Sequence, residues 1–339
     1  MPNIILATGG FDHTIKLWEV SNKSCYRTLQ FSESQVNKLE LTPNRKYLAA
    51  AGNPHIKLYE LTSNNPNPVS NFSSHKTNVT AIGFEKQGDF LYSGSEDGTI
   101  KIWDPRLPNF QKEFVYTEAC NTVELHPNQN DFIAGHQNGV LCVYDLCAGK
   151  KRMQFTPEED TSVKSLSISK DGNYCCAALN NGKCYVWNLS PETAEYFNDE
   201  KCWQAHNAYV LKVLYSPNMS TLATTSSDGT ICIWKTKDYS LYNVLKSHTR
   251  WVWDCVYSYN SEYLATASSD NLAYLWDINE EKPIAQFSGH HKAVTCITLT
   301  DIKHPSKLQN IALAQKKLSD KETAEKEQPT SSTTKRSMP

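Results

Sequence analysis

The residues best equipped for chemistry in this chain are four histidines, His75, His206, His248 and His290, and four aspartates, Asp12, Asp97, Asp228 and Asp270. Imidazole titrates near neutral pH and a carboxylate can orient it, so such pairs serve general acid–base catalysis when they converge on one cleft. Here they do not converge. Each histidine holds one slot of a recurring unit and each aspartate another, so the unit itself accounts for them. Eleven cysteines are scattered, with no CxxC pair and no Cys/His spacing of zinc type. No HExxH, GxSxG, Walker A or Rossmann fingerprint stands in its required context. Gly9-Gly10 and the Asp-Gly pairs fall at hairpins, not between a strand and a helix where a phosphate would be cradled. The chain is therefore expected not to be an enzyme, and to take no metal, cofactor or small-molecule substrate.

The elements that position these residues repeat. An aromatic residue closes a short alternating run seven times, at Trp18, Tyr59, Trp103, Tyr144, Trp187, Trp234 and Trp276. The spacings are 41, 44, 41, 43, 47 and 42 residues, within or close to the ~40–45 of a WD repeat. Six residues before each aromatic lies Asp12, Asn53, Asp97, Asn138, Asn181, Asp228 or Asp270. These are turn-formers that tolerate left-handed backbone, and four of them are followed by Gly, a direct hairpin signal. A third register, apolar at the first, fourth and sixth positions, marks an innermost strand beginning at Val36, Val79, Cys120, Val163, Val210, Val252 and Val294. Four short strands per unit follow. The fold class is all-β: a closed seven-bladed WD40 β-propeller over residues 1–300, with a flexible tail over 301–339.

Closure is readable in the order of the strands. The chain enters at Ile4–Thr8 in what is already a second strand, and the missing innermost strand returns as Val294–Leu299. Joining the termini inside one blade removes the open edges of an unfinished ring. WD blades resemble one another in a His–Ser/Thr–Asp–Trp hydrogen-bond network. Three sets fit within the chain: His75, Ser93, Asp97, Trp103; His206, Thr224, Asp228, Trp234; and His248, Thr266, Asp270, Trp276. The fourth is split across the termini, His290 joining Thr8, Asp12 and Trp18. The units of Tyr59, Tyr144 and Trp187 lack the histidine and hydroxyl, and are expected to lean on packing.

Composition narrows the rest. The 339 residues carry a formal charge of −2, so there is no basic footprint for nucleic acid. Met1–Gly10 has neither the basic start nor the apolar stretch of a signal peptide, and no apolar run approaches ~18 residues. The odd, scattered cysteines read as reduced thiols, many of them buried, and the protein as cytoplasmic. Beyond 301 the pattern stops, and eight Lys/Arg against five Asp/Glu with Ser, Thr and Pro read as a disordered tail, Leu308–Leu318 being too short to stand as a helix.

A binding face is the remaining route to function. The positions flanking the first residue of each inner strand lie near one mouth of the channel. Before it stand Gln35, Asn78, Ala119, Ser162, Tyr209, Trp251 and Ala293; after it stand Asn37, Thr80, Asn121, Lys164, Leu211, Trp253 and Thr295. Arg250-Trp251-Val252-Trp253 departs most from the series, and Trp, Tyr and Arg dominate interface hot spots. The arc of Gln35, Asn37, Tyr209, Trp251 and Trp253 is the expected protein-binding face.

The segments Ser63-Asn64-Asn65-Pro66-Asn67-Pro68, Cys184 through Leu189, Ala267 through Leu272, Ala49-Ala50-Ala51-Gly52 with His55-Ile56, and His126-Pro127-Asn128-Gln129 resemble one family over about residues 3 to 300. That family is the small propeller subunit of the target-of-rapamycin (TOR) kinase complexes, also called the G-protein β-subunit-like protein. The resemblance implies a scaffold present in both kinase complexes alongside their other subunits. One propeller face would dock on the C-lobe of the kinase domain and support growth and nutrient signalling. It also implies a location in the cytoplasm, or at endomembranes through the complex, with no membrane insertion of its own. The family's docking face carries over to Gln35, Asn37, Trp251 and Trp253. A heterotrimeric G-protein β-subunit would need an N-terminal helical extension, yet the first strand starts by about Ile4. An alternative of another class is a substrate receptor of a cullin-type ubiquitin ligase, through Trp103-Asp104-Pro105-Arg106, which resembles the WDxR motif of such receptors.

Overall fold

The computed structural model describes residues 5–189 and 197–300, the backbone alone for 198–200. The tail expected over 301–339 lies outside the described residues. The described secondary structure is entirely strand, in seven four-stranded antiparallel sheets. Blade 1 is ordered, from the channel outwards, Val294–Thr300, Ile5–Gly10, Thr14–Glu19 and Ser24–Gln30. The inner strands of blades 2 to 7 are Lys38–Leu41, Val79–Phe84, Cys120–Leu125, Val163–Ile168, Val210–Tyr215 and Val252–Tyr257. Each lies beside the next, and the last lies beside Val294–Thr300. The fold is a seven-bladed β-propeller whose last strand pairs with its first, Ile5 opposite Thr300 and Thr8 opposite Ile297.

The local reasons are legible one turn at a time. In six blades the hairpin between the second and third strand uses one residue at positive φ. Gly98, Gly139, Gly182 and Gly229 supply it at +79° to +89° in blades 3 to 6. Blades 1 and 7 use His13 and Asn271, and blade 2 turns through a cis Asn53–Pro54 bond. The repeat aromatics end the third strands with their rings buried between blades. Trp103 packs on Phe72, Leu58, Ala49 and Ala51 of blade 2, a large ring set against small partners. Trp18 does the same with Ala265, Ala267 and Ala273 of blade 7. Burial of such a ring contributes a few kcal/mol each.

One irregularity matters for function. In six blades the pairing of inner and second strand slips by one residue just after it starts. Thr80, Asn121, Lys164, Leu211, Trp253 and Thr295 are the skipped residues. Each is a β-bulge, which frees a side chain from the ladder and re-aims it. Blade 2 differs: its inner strand starts at Lys38, two residues later than Val36, although the Asn37 amide still reaches the Ala51 carbonyl (2.7 Å).

A candidate docking face around the channel mouth

The four histidines sit in four separate blades. His248 bonds Asp270 through Nδ1 (2.8 Å) and Thr266 through Nε2 (2.8 Å), and the Trp276 indole donates to the same hydroxyl (2.9 Å). His75 joins Asp97 (3.1 Å) and Ser93 (2.7 Å), with Trp103 donating to Ser93 (2.8 Å). His206 joins Asp228 (3.2 Å) and Thr224 (2.8 Å), with Trp234 on Thr224 (2.9 Å). His290 reaches across the termini to Asp12 (2.9 Å) and Thr8 (2.7 Å), and Trp18 donates to Thr8 (2.8 Å). Burial alone would raise the Asp270 carboxyl, but bonds from His248 and two backbone amides hold it below its ordinary range. Burial keeps His206 and His290 below the usual imidazole range despite their aspartates. Every polar atom in these sets is engaged with its own blade, an arrangement that fixes turns and leaves no imidazole for a substrate.

The other three blades are not left to packing alone. In blade 2 the acid comes from the loop and the base from the turn side, Glu33 pairing with His55 (3.2 Å) and Lys57 (3.1 Å). Blade 5 repeats that reversal, Glu158 bonding Lys183 (2.9 Å) and the Tyr185 hydroxyl (2.8 Å). Blade 4 sets the Tyr116 ring on His136, centroids 4.1 Å apart.

The expected face falls into two parts on one rim. Tyr209, Trp251 and Trp253 form a continuous aromatic run, with centroids 6.3 Å and then 5.3 Å apart. Tyr209 is 50% exposed and Trp251 41%, large fractions for rings of this size. Trp253 is half-buried because its bulge turns it toward the channel, where its Nε1 donates to Ser269 (2.6 Å). Gln35 and Asn37 do not touch this run. Their amides converge on Asn78 (3.3 and 3.4 Å). Gln35, Asn37 and Trp253 line a channel enclosing about 630 Å³, while Trp251 lines a shallow hollow beside Arg250 and Ser269. Blade 1 stands between the two parts and presents Phe11, 40% exposed. The sequence reading missed Phe11 because it compared only inner-strand flanks. The slot seven before each aromatic reads Gly52, Glu96, Gln137, Asn180, Ser227 and Ser269 elsewhere, so Phe11 stands out there too.

Deeper in the channel Lys38 pairs with the buried Asp254 (2.9 Å). Burial pushes the Glu40 carboxyl up to about 7 and raises Glu124, against the pull of Lys38 and Lys212. No group of three or more potential metal ligands occurs among the described residues. No described helix is long and apolar enough to cross a membrane.

In the Trp103-Asp104-Pro105-Arg106 motif the Arg106 side chain is exposed. Trp103 is buried in its blade, and Arg106 folds back on Asp104 with two bonds of 2.8 Å. Nothing in this geometry favours a ligase adaptor.

Four stretches, 66–104, 149–188, 198–235 and 239–277, match the WD domain, G-beta repeat family. With seven closed blades and an aromatic face, the class is a WD-repeat β-propeller. More specific relatives cover most of the chain. The target of rapamycin complex subunit wat1 of Schizosaccharomyces pombe is 45% identical over 302 residues, 88% of this chain and 96% of its own. The target of rapamycin complex subunit LST8 of Saccharomyces cerevisiae is 43% identical over 88% of this chain and all of its own length. LST8-1 of Arabidopsis thaliana is 49% identical over 72% of this chain and 81% of its own. The chain belongs to the LST8 family.

Proposed function

We propose that this chain is a non-catalytic subunit of TOR kinase complexes, a scaffold that docks its channel-mouth face on the C-lobe of the kinase domain and steadies it. The observation that carries this reading is the run Tyr209–Trp251–Trp253, three touching aromatic rings, two of them exposed, on a propeller whose relatives are named as TOR complex subunits. Exposed Trp and Tyr in contact with one another supply large, rigid anchor area at little entropic cost. Gln35 and Asn37 continue the face with amides, and Phe11 bridges the two parts. The four His–Asp pairs are bonded within their own blades, which supports a function in binding. Growth and nutrient signalling from the cytoplasm, or from endomembranes reached through the complex, follows from such a role.

Affinity capture of the tagged full-length chain from cell extract tests the reading. A TOR kinase should be recovered in near-equal amount. Recovery of a ligase adaptor with no kinase would overturn it.

A further inference from the structure

The wall of the central channel carries charge that is only partly paired. Lys38 and Asp254 neutralise each other, and Asp254 also accepts from the Cys255 and Ile297 amides (3.1 and 3.3 Å). Three more ionisable groups line the same cavity below its mouth: Glu40 in blade 2, Glu124 in blade 4 and Lys212 in blade 6. None of these three makes a hydrogen bond or ion pair within the described residues.

Glu40, Gly83, Glu124, Leu214 and Val256 hold one position in five blades, four residues after Val36, Val79, Cys120, Val210 and Val252, and all line the cavity. They form one level of the channel with two unlike sides. On the side of blades 2 to 4, two carboxyls flank a phenol. Gly83 has no side chain, and Tyr92 of the paired strand lies over it, so close that a Cβ there would sit 2.1 Å from the hydroxyl. On the side of blades 6 and 7, the half-buried Leu214 and Val256 offer an apolar surface. Lys212, two residues before Leu214, lies on the same channel-facing side of its strand, one step nearer the mouth. Burial raises both carboxyls against the pull of the lysines, so a cation seated between them would restore their charge. A cation alone would leave Lys212 unanswered, whereas a molecule carrying both signs answers all three groups. The cavity of about 630 Å³ is of the size of small-molecule sites, roughly 300–1,000 Å³.

We propose that the channel binds a small zwitterion with an apolar side chain, a molecule with the chemistry of a free aliphatic α-amino acid. Its ammonium sits between Glu40 and Glu124 near the Tyr92 hydroxyl. Its carboxylate pairs with Lys212, and its side chain lies against Leu214 and Val256. An inorganic cation or a polyamine would use the carboxyls but neither Lys212 nor the apolar side. A fatty acid would leave both carboxyls without a partner. The site lies below the aromatic run and does not rest on the docking reading.

The test titrates the purified full-length chain with L-leucine by calorimetry, with no kinase present. Leucine should bind with a Kd of about 1 mM or tighter. Isoamylamine lacks the carboxylate, 4-methylpentanoate the ammonium and glycine the side chain, and each should bind at least about tenfold more weakly. Glu40→Gln with Glu124→Gln should lose at least about tenfold in leucine affinity, and Lys212→Met should bring leucine down to the affinity of isoamylamine. Both variants should melt no lower than the wild type without ligand, since each removes charge that has no partner in the chain. Should the double variant melt lower, the analogue series on the wild-type chain decides. Absence of leucine binding up to about 50 mM would overturn the site. So would an unchanged leucine affinity in a folded double variant, which would put the ligand elsewhere. Isoamylamine binding as tightly as leucine would overturn the zwitterion and leave a plain cation site. Each of these outcomes leaves the docking face standing.

Discussion

Trp187 and Tyr144 fill the same slot as the indoles of blades 1, 3, 6 and 7, yet Trp187 Nε1 and the Tyr144 hydroxyl meet no partner among the described residues. The cause lies ten residues upstream, where the bonded blades have Thr8, Ser93, Thr224 and Thr266 and these two have Ala177 and Ala134. Ala177→Ser should therefore give the Trp187 indole an acceptor and raise unfolding stability by about 1 kcal/mol. A urea midpoint that stays put or falls would count against this account of the slot. His136 is another buried residue with a cost to relieve, both its ring nitrogens being without a hydrogen-bond partner among the described residues. Burial pushes its imidazole down to about 4, so the unfolded chain binds a proton first as the pH drops. Stability should be full above about pH 6.5 and fall progressively toward pH 4, by up to about 3 kcal/mol from this group. His136→Phe should flatten that acid limb, and an unchanged slope between pH 6.5 and 4 would refute the assignment. The sequence displayed the four complete networks because their members recur at fixed spacing. The reversed pairs Glu33–His55 and Glu158–Lys183 were hidden because they occur in two blades only, with different residue types and with spacings of 22 and 25 residues.

Strands and turns were legible because period-two alternation and Asp-Gly or Asn-Gly pairs are local signals. The bulges were not. A bulge is a relation between two strands, and only pairing shows that Thr80 or Trp253 is skipped. The positions nonetheless stood out by residue type, since the bulge exposes them to the channel and to the next blade. The clamp made by His126-Pro127-Asn128-Gln129 is of the same kind. His126 bonds the Gly172 carbonyl of blade 5 (2.9 Å), and Gln129 accepts from the Lys86 amide of blade 3 (3.0 Å). A segment recognisable only by resemblance thus proves to be a tie between three blades. Likewise Arg27 of blade 1 holds the Asn-Pro-rich turn of blade 2 through the Asn65 carbonyl (2.6 Å). If the bulge residue Thr80 staples blade 3 to blade 4 by donating its hydroxyl to the Cys120 carbonyl (2.6 Å), Thr80→Val, equal in shape but without a donor, should cost about 1 kcal/mol in thermal or urea unfolding and leave kinase binding intact. A melting curve identical to wild type would show that the staple contributes nothing.

For the whole molecule, closure joins the first and last described segments into one sheet, and that followed from the sequence because an unpaired second strand needed a partner. Removing everything after Ala293 deletes the inner strand of blade 1 and leaves Ile5–Gly10 with an open edge. The truncated chain should lose cooperative unfolding and elute as aggregates. A monomer melting at the wild-type temperature would contradict strand-for-strand closure. The partner was far less legible than the ring. Surface aromatics follow no period, and Phe11 and the split between the amide and aromatic parts emerged only from their placement. The claim that the face anchors a TOR kinase is tested most directly by the affinity of Trp251→Ala with Trp253→Ala for the purified kinase. The melting temperature should stay close to wild type while the Kd weakens by about a hundredfold or more, several kcal/mol for two anchors. A double variant that binds with the wild-type Kd would contradict the account.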